Sequence, residues 1–239
     1  MPILEVKNIK KGFGDTDVLK GVSFSMERGQ VLAIIGSSGS GKTTLLRCLN
    51  FLETPDEGEI WVNGKLLTGE NLSDDQIRQN RLHFGLVFQN FNLFPHYTVM
   101  KNVTDAPVCV QKRDKNEVEK EAKELLKKVG LDGKENSYPC QLSGGQQQRA
   151  GIARAFISRP EIVFADEPTG NLDSKTTKEV MEMIRRFART FHQTIVLVSH
   201  DPEMTTYADR IVTLIDGQIV SDERTDNGLQ AAESDNNKQ

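Results

Sequence analysis

The chain has 239 residues, 37% of them hydrophobic and 27% charged, with a formal net charge of −4, which describes one soluble globular domain and excludes collagen, coiled coil or disorder as the main architecture. A chain of this length buries roughly three quarters of its unfolded surface and needs no covalent staples. Its sequence pI near 5.7 excludes the strongly basic footprint of a protein whose main work is to hold nucleic acid.

No apolar run approaches the roughly 20 residues of a membrane-spanning helix. The longest, Val31 to Ile35 and Ile195 to Val198, have the length of buried strands. The opening segment MPILEVKNIKKGF lacks the apolar core and cleavage site of a signal peptide, so a cytosolic location is expected. Three cysteines, Cys48, Cys109 and Cys140, show no CxxC spacing and read as free thiols that fill structure.

Strand-type and helix-type segments alternate along the chain, which predicts an α/β fold with a parallel or mixed sheet. LEVKNIKKGF, LKGVSFSME and GEIWVNGK alternate apolar and polar residues as half-buried antiparallel strands do. After the first two comes the apolar strand VLAII, followed at once by GSSGSGKT, Gly36 to Thr43, and the helical pattern TTLLRCLNFL. G-x-x-x-x-G-K-[ST] between a strand and a helix is a phosphate-binding P-loop. Gly36, Gly39 and Gly41 let the backbone wrap an anion, and the helix start faces it with amides and the positive end of its dipole. Lys42 is suited to reach the β and γ phosphates, and the Thr43 hydroxyl to ligate magnesium.

Farther on, Val118, Ala122, Leu125, Leu126 and Val129 recur at helical spacing among many Lys and Glu, so residues 111–129 are expected to be a helix with a solvated face. LSGGQQQRAGIARAF, Leu142 to Phe156, places Ser143, Gly144 and Gly145 before a helical run, a second helix start of anion-binding type. EIVFADEP then ends a buried strand in Asp166 and Glu167. Alone, two such acids are more often caps or surface groups. Beside a P-loop, Asp166 becomes the candidate magnesium ligand and Glu167 the candidate group that polarises an attacking water. Residues 174–192 form a further helix, with Val180, Ile184, Phe187, Ala188 and Phe191 in one core stripe. From about Ser221 the chain is polar and expected to be a flexible tail.

With the P-loop, LSGGQ and VFADE in this order, the sequence resembles the nucleotide-binding subunits of ABC transporters to about residue 220. The resemblance implies a RecA-like P-loop NTPase core within a domain at 1–220. An N-terminal antiparallel β subdomain and an α-helical subdomain inserted at about 90–160 accompany it. It implies ATP and Mg2+ as ligands, with Gly36, Ser37, Ser38, Gly39, Ser40, Gly41, Lys42, Thr43 and Thr44 around the phosphates. Phe13 is similar to the aromatic that stacks on adenine. Gln89 in GLVFQNFNLFP resembles the glutamine that touches magnesium and the attacking water and links the site to the membrane subunits. Asp173 in GNLD resembles the aspartate that communicates across a dimer, and His200 after TIVLVSH the switch histidine at the γ phosphate.

In that family two subunits meet head to tail, so that ATP on one P-loop is completed by Ser143, Gly144, Gly145 and Gln146 of the other. The expected partners are therefore a second ATPase subunit, integral membrane permeases and a solute-binding protein, at the cytoplasmic face of the membrane, with no nucleic acid. Relatives that work on DNA carry a long coiled coil between these motifs, and the stretch of about 50 residues from Gln89 to Leu142 has no room for one. GSSGSGKTTLLRCLNFLETPDEGEI, FGLVFQNFNLFPHYTVMKNV and YPCQLSGGQQQR look like polar amino acid importers. DEPTGNLDSK and VSHDPEMTTYADRIVTLIDGQI look more like lipoprotein-release and macrolide-export ATPases. Amino acid uptake is the expectation, with export or release as the alternative.

Overall fold

The computed structural model describes residues 1–69 and 72–226. A four-stranded antiparallel sheet is built from β1 (Leu4–Phe13), β2 (Thr16–Met26), β4 (Glu57–Val62) and β5 (Lys65–Leu66), in the order β2-β1-β4-β5. A six-stranded sheet contains β3 (Val31–Ile35), β6 (Phe84–Phe88), β7 (Ile162–Asp166), β8 (Thr194–Ser199), β9 (Arg210–Ile215) and β10 (Gln218–Arg224). Its order is β10-β9-β3-β8-β7-β6, parallel throughout except for β10, which runs antiparallel to β9.

The parallel strands are apolar on both faces, and their alternation divides the molecule into two cores. Val31, Ala33, Val163, Ala165, Ile195 and Leu197 point into one. The residues between them, Leu32, Ile34, Ile162, Phe164, Val196 and Val198, point into the other. The first core is closed by α3 (Val99–Cys109), α4 (Lys115–Lys128), α5 (Gly144–Ile157) and α6 (Ser174–Phe191). The second is closed by α1 (Lys42–Leu49) and the inner face of the antiparallel sheet. A shift of one residue in any of these strands would exchange the two sets, so the register is fixed from both sides.

The helices α3, α4 and α5 follow β6 and precede β7 in the chain. The stripe expected on α4 is buried at Val118, Ala122, Leu125 and Leu126. On α6 the stripe holds at Val180, Ile184, Phe187 and Ala188, but Phe191 at the helix end is 43% exposed. There it meets Phe187 edge-on, with the Lys128 ammonium 5.1 Å from its ring. The cysteines also depart from expectation, since Cys48 is a buried filler whereas Cys109 and Cys140 are exposed. Burial pushes the Cys48 thiol up to about 12.

Among the elements that lay outside the sequence reading, which include α3, β6 and β9, two are instructive. A short helix, α2 (Asp74–Arg81), begins with a capping box between Ser73 and Gln76. The other is the end of β10: Ser221 to Arg224, expected to open the tail, complete this edge strand through the pairs Ser221–Thr213 and Arg224–Arg210. Residues 227–239 of the expected tail lie outside the described residues. Among the described residues no helix is long and apolar enough to cross a membrane.

Candidate nucleotide site

The carboxyl ends of four neighbouring strands carry the candidate residues, as the ligand-binding edge of an open α/β sheet does. β3 runs into Gly36, β8 into His200, β7 into Glu167 and β6 into Gln89. Register fixes their levels: Ile35 pairs with Ser199, Val198 with Asp166, and Asp166 with Phe88. A cavity of about 540 Å³ opens there, and Gly39, Lys42, Thr43, Gln89, Glu167 and His200 are among its lining. Another cavity, of about 460 Å³ near Arg28, Glu161 and Gln193, opens beside the amino ends of β7 and β8, away from every motif.

The P-loop is shaped by its own glycines. Gly41 precedes α1 with φ +98°, a conformation that strains other residues, and no side chain caps the helix. The Lys42 ammonium turns back on its own loop, donating to the carbonyls of Gly36 at 2.8 Å and Ser37 at 2.9 Å. These are neutral acceptors, and an anionic phosphate would be a stronger partner for the same charge.

The two acids after β7 are held differently. Glu167 has φ +46°, and its carboxylate is fixed from β8. Oε2 accepts the Ser199 hydroxyl at 3.1 Å, and Oε1 accepts the His200 backbone N–H at 3.0 Å and faces His200 Nδ1 at 2.8 Å. Ser199 was not picked out from the sequence, because its role depends on β8 lying beside β7. Asp166 accepts the Thr43 hydroxyl at 3.4 Å. Burial raises the pKa of Asp166, and the neighbouring charge of Glu167 raises it further. Lys42 and Arg47 offset that charge only in part, and a hydroxyl and a carboxylate oxygen together beside a second carboxylate are a donor set that fits magnesium.

The second glycine-rich helix start is built in the opposite way. Ser143 Oγ accepts the Gln146 N–H, and Gln146 Oε1 accepts the Ser143 N–H at 3.0 Å, a closed capping box. The helix start expected to be open to an anion is thus partly satisfied by its own side chains. It packs on α6, since a Cβ at Gly145 would lie 2.5 Å from Thr176 Cγ2. Thr176 in turn donates its hydroxyl to Asp173 at 2.6 Å, and Asp173 caps α6 through the amides of Lys175 and Thr176. Those contacts hold its carboxyl below the usual aspartate range.

The candidate residues therefore fall into two groups. The P-loop, Gln89, Asp166, Glu167 and His200 stand together. Ser143 to Gln146 stand with Asp173 outside the lining of that cavity, although Leu172 and Ser174 beside Asp173 line a neighbouring one with Glu167 and His200, and Phe13, half exposed at the tip of the β1–β2 hairpin, lies outside the lining as well. Arg154 bridges the groups from α5, donating to the carbonyls of Phe91 and Asn92 just beyond Gln89.

Comparison with known proteins agrees with this arrangement. The family described as ABC transporter matches residues 19–170. The L-cystine transport system ATP-binding protein TcyN of Escherichia coli is 49% identical over 92% of this chain and 89% of its own length. The arginine transport ATP-binding protein ArtM of Bacillus subtilis is 43% identical over 92% of the chain and 90% of its own. The dimeric structure of the cassette MJ0796 superimposes with a TM-score of 0.82 at 37% identity, covering 92% of this chain and 98% of that one. The same cassette is known in a post-hydrolysis state with ADP and phosphate, at 36% identity. With a candidate nucleotide site at its strand edge and a family match through most of its length, the chain belongs to the ABC transporter family, as its ATP-binding and ATP-hydrolysing subunit.

Proposed function

We propose that this subunit drives uptake of polar amino acids through partner permeases, from the cytoplasmic face of the membrane and in concert with a solute-binding protein. The observation that carries the reading is the match over 92% of the chain to an L-cystine transport ATP-binding protein. Arginine and glutamine transport subunits match over the same share. The segment from Asp166 to Lys175, which resembles export ATPases in isolation, lies within a chain matched at this length, and that favours uptake over export or release.

In the proposed mechanism ATP lies along the P-loop, with adenine on Phe13 and the phosphates at the α1 start. Lys42 leaves the Gly36 and Ser37 carbonyls for the β and γ phosphates. Thr43, Asp166 and Gln89 would hold Mg2+, which supplies neutralisation of charge on the phosphate oxygens when bound. Glu167 takes the proton of the attacking water as that water's oxygen bonds to the γ phosphorus and the bond to the bridging oxygen breaks. His200 contacts the γ phosphate and orients Glu167. Ser143, Gly144, Gly145 and Gln146 of a second copy complete the site, and Asp173 lies along the same interface. The separation of the two groups in one chain supports a head-to-tail dimer, as does the dimeric relative.

The test is Glu167→Gln purified from its native membrane in ATP. This variant is expected to bind ATP, to hydrolyse it about 10²- to 10⁴-fold more slowly, and to stay dimeric with its permease attached. A small permease with a solute-binding protein supports uptake. A permease with a large extracytoplasmic domain and no binding protein moves the function to export, and rapid turnover removes the role given to Glu167.

A further inference from the structure

The hairpin that carries Phe13 is held by charges no motif includes. Lys11 lies two residues earlier, and its ammonium stands over the Phe13 ring, 5.3 Å from the centroid. The Lys11 side chain is only 12% exposed, with Nζ donating to Asp56 Oδ1 at 2.8 Å and lying 3.5 Å from Glu53 Oε1. The other oxygen of Asp56 accepts the Gly12 N–H at 2.7 Å, and the Asp56 N–H donates to the Lys10 carbonyl at 2.9 Å. One carboxylate therefore holds both the ammonium against the ring and the peptide next to it. The acids are themselves tied to the phosphate side, since the Glu53 N–H donates at 3.0 Å to the carbonyl of Arg47 in the last turn of α1. The first turn of that helix carries Lys42 and Thr43.

We propose that Asp56, through Lys11 and the Gly12 amide, is a positioning residue that fixes the Phe13 ring at a set distance from the P-loop and so determines affinity for the purine base. The inference rests on the reading of Phe13 as the adenine platform. A ring already held loses little rotamer freedom when a base stacks on it. An ammonium on one face draws π density from the other, which favours an electron-rich purine there. The hydrogen bond between the two side chains raises the Lys11 pKa and lowers that of Asp56, so both are charged at neutral pH.

The experiment compares ATP with inorganic tripolyphosphate, which has the phosphates and no base, on the full chain carrying Asp56→Asn. The expected result is ATP binding and KM weakened about three- to ten-fold, the range that freeing one side chain gives, with kcat within about twofold and tripolyphosphate binding unchanged. Lys11→Gln serves as the parallel variant with the same expectation, and Asp56→Glu restores part of the loss. Combined with Phe13→Ala, Asp56→Asn adds no further loss, because both act through one ring. The proposal is overturned if Asp56→Asn weakens tripolyphosphate as much as ATP, if its effect adds fully to that of Phe13→Ala, or if ATP affinity does not change. Should Phe13→Ala itself leave ATP affinity intact, the adenine platform fails and the inference falls with it. A loss for Phe13→Ala alone sinks only the clamp.

Discussion

The starts of α1 and α5 are both rich in glycine, α1 following a glycine loop and α5 opening on Gly144 and Gly145, yet they are built for opposite conditions. At α1 the capping position is Gly41, no side chain closes the helix end, and the nearest cation rests on neutral carbonyls. At α5 a serine and a glutamine close the end reciprocally. Capping removes part of the demand that uncapped amides place on a ligand. In the proposed reading the first end is a standing anion site, whereas at the second the cap already takes up one first-turn amide, that of Gln146. One site of each kind per chain suits a nucleotide that binds a single subunit firmly and recruits the second conditionally.

The strongest test of that contrast removes the cation. Lys42→Ala is expected to weaken ATP binding by about 100-fold, near 3 kcal/mol for charge-assisted hydrogen bonds to phosphate, measured by titration calorimetry on the isolated subunit. Unchanged affinity would mean that α1 is not the standing site. Next in size is Gly41→Ala. A side chain at φ +98° with its Cβ 3.0 Å from the Val18 carbonyl oxygen is expected to lower unfolding stability by about 1–3 kcal/mol, read from denaturant curves. Ser143→Ala should cost about 1 kcal/mol of stability as a lost cap and leave ATP affinity of the single subunit unchanged while weakening ATP-dependent dimerisation. Should it weaken single-subunit affinity as Lys42→Ala does, the two helix ends are not different in kind.

The smallest expected effect concerns Asp166. Its folded pKa is raised by burial and by Glu167, so the folded chain keeps that proton to higher pH than the unfolded chain does. The contribution to stability is present below the unfolded pKa and is lost as pH rises through the folded one. Asp166→Asn should therefore flatten the fall in stability of the protein across that interval and raise its Tm by no more than about 2–4 °C, the change that ~1 kcal/mol gives at this size. A steeper pH dependence in the variant would show that Asp166 is not under strain.

The α/β class, the P-loop and the acid pair were legible because each is a contiguous string whose chemistry follows from local geometry. Gln89, Asp173 and His200 were legible only through resemblance, since single polar residues at strand and helix ends have many local uses, and Asp173 has one of them as a helix cap. The hold of Ser199 on Glu167 could not be read, because it requires β8 to lie between β3 and β7, and strand order leaves no mark in local periodicity. The helix α2 has Ile77 as its one apolar residue in DDQIRQNR, too few for a stripe, although Ser73-x-x-Gln76 was a visible start signal. The strand β10 alternates only intermediate and exposed positions, so at a sheet edge it reads as a tail.

The order β3-β8-β7-β6 makes the sheet a ruler for the reaction. Adjacent strands stand about 4.8 Å apart, so the acid pair lies two spacings, about 10 Å, from the P-loop strand, and Gln89 three. A ladder with apolar side chains on both faces has little freedom to stretch. The spacing between the strand ends that carry the P-loop and the acid pair is thus set by backbone hydrogen bonding, and opening or closing of the site falls to the parts outside the ladder: the side chain of Lys42, the loop beyond Gln89, the helices that follow it, and the facing subunit.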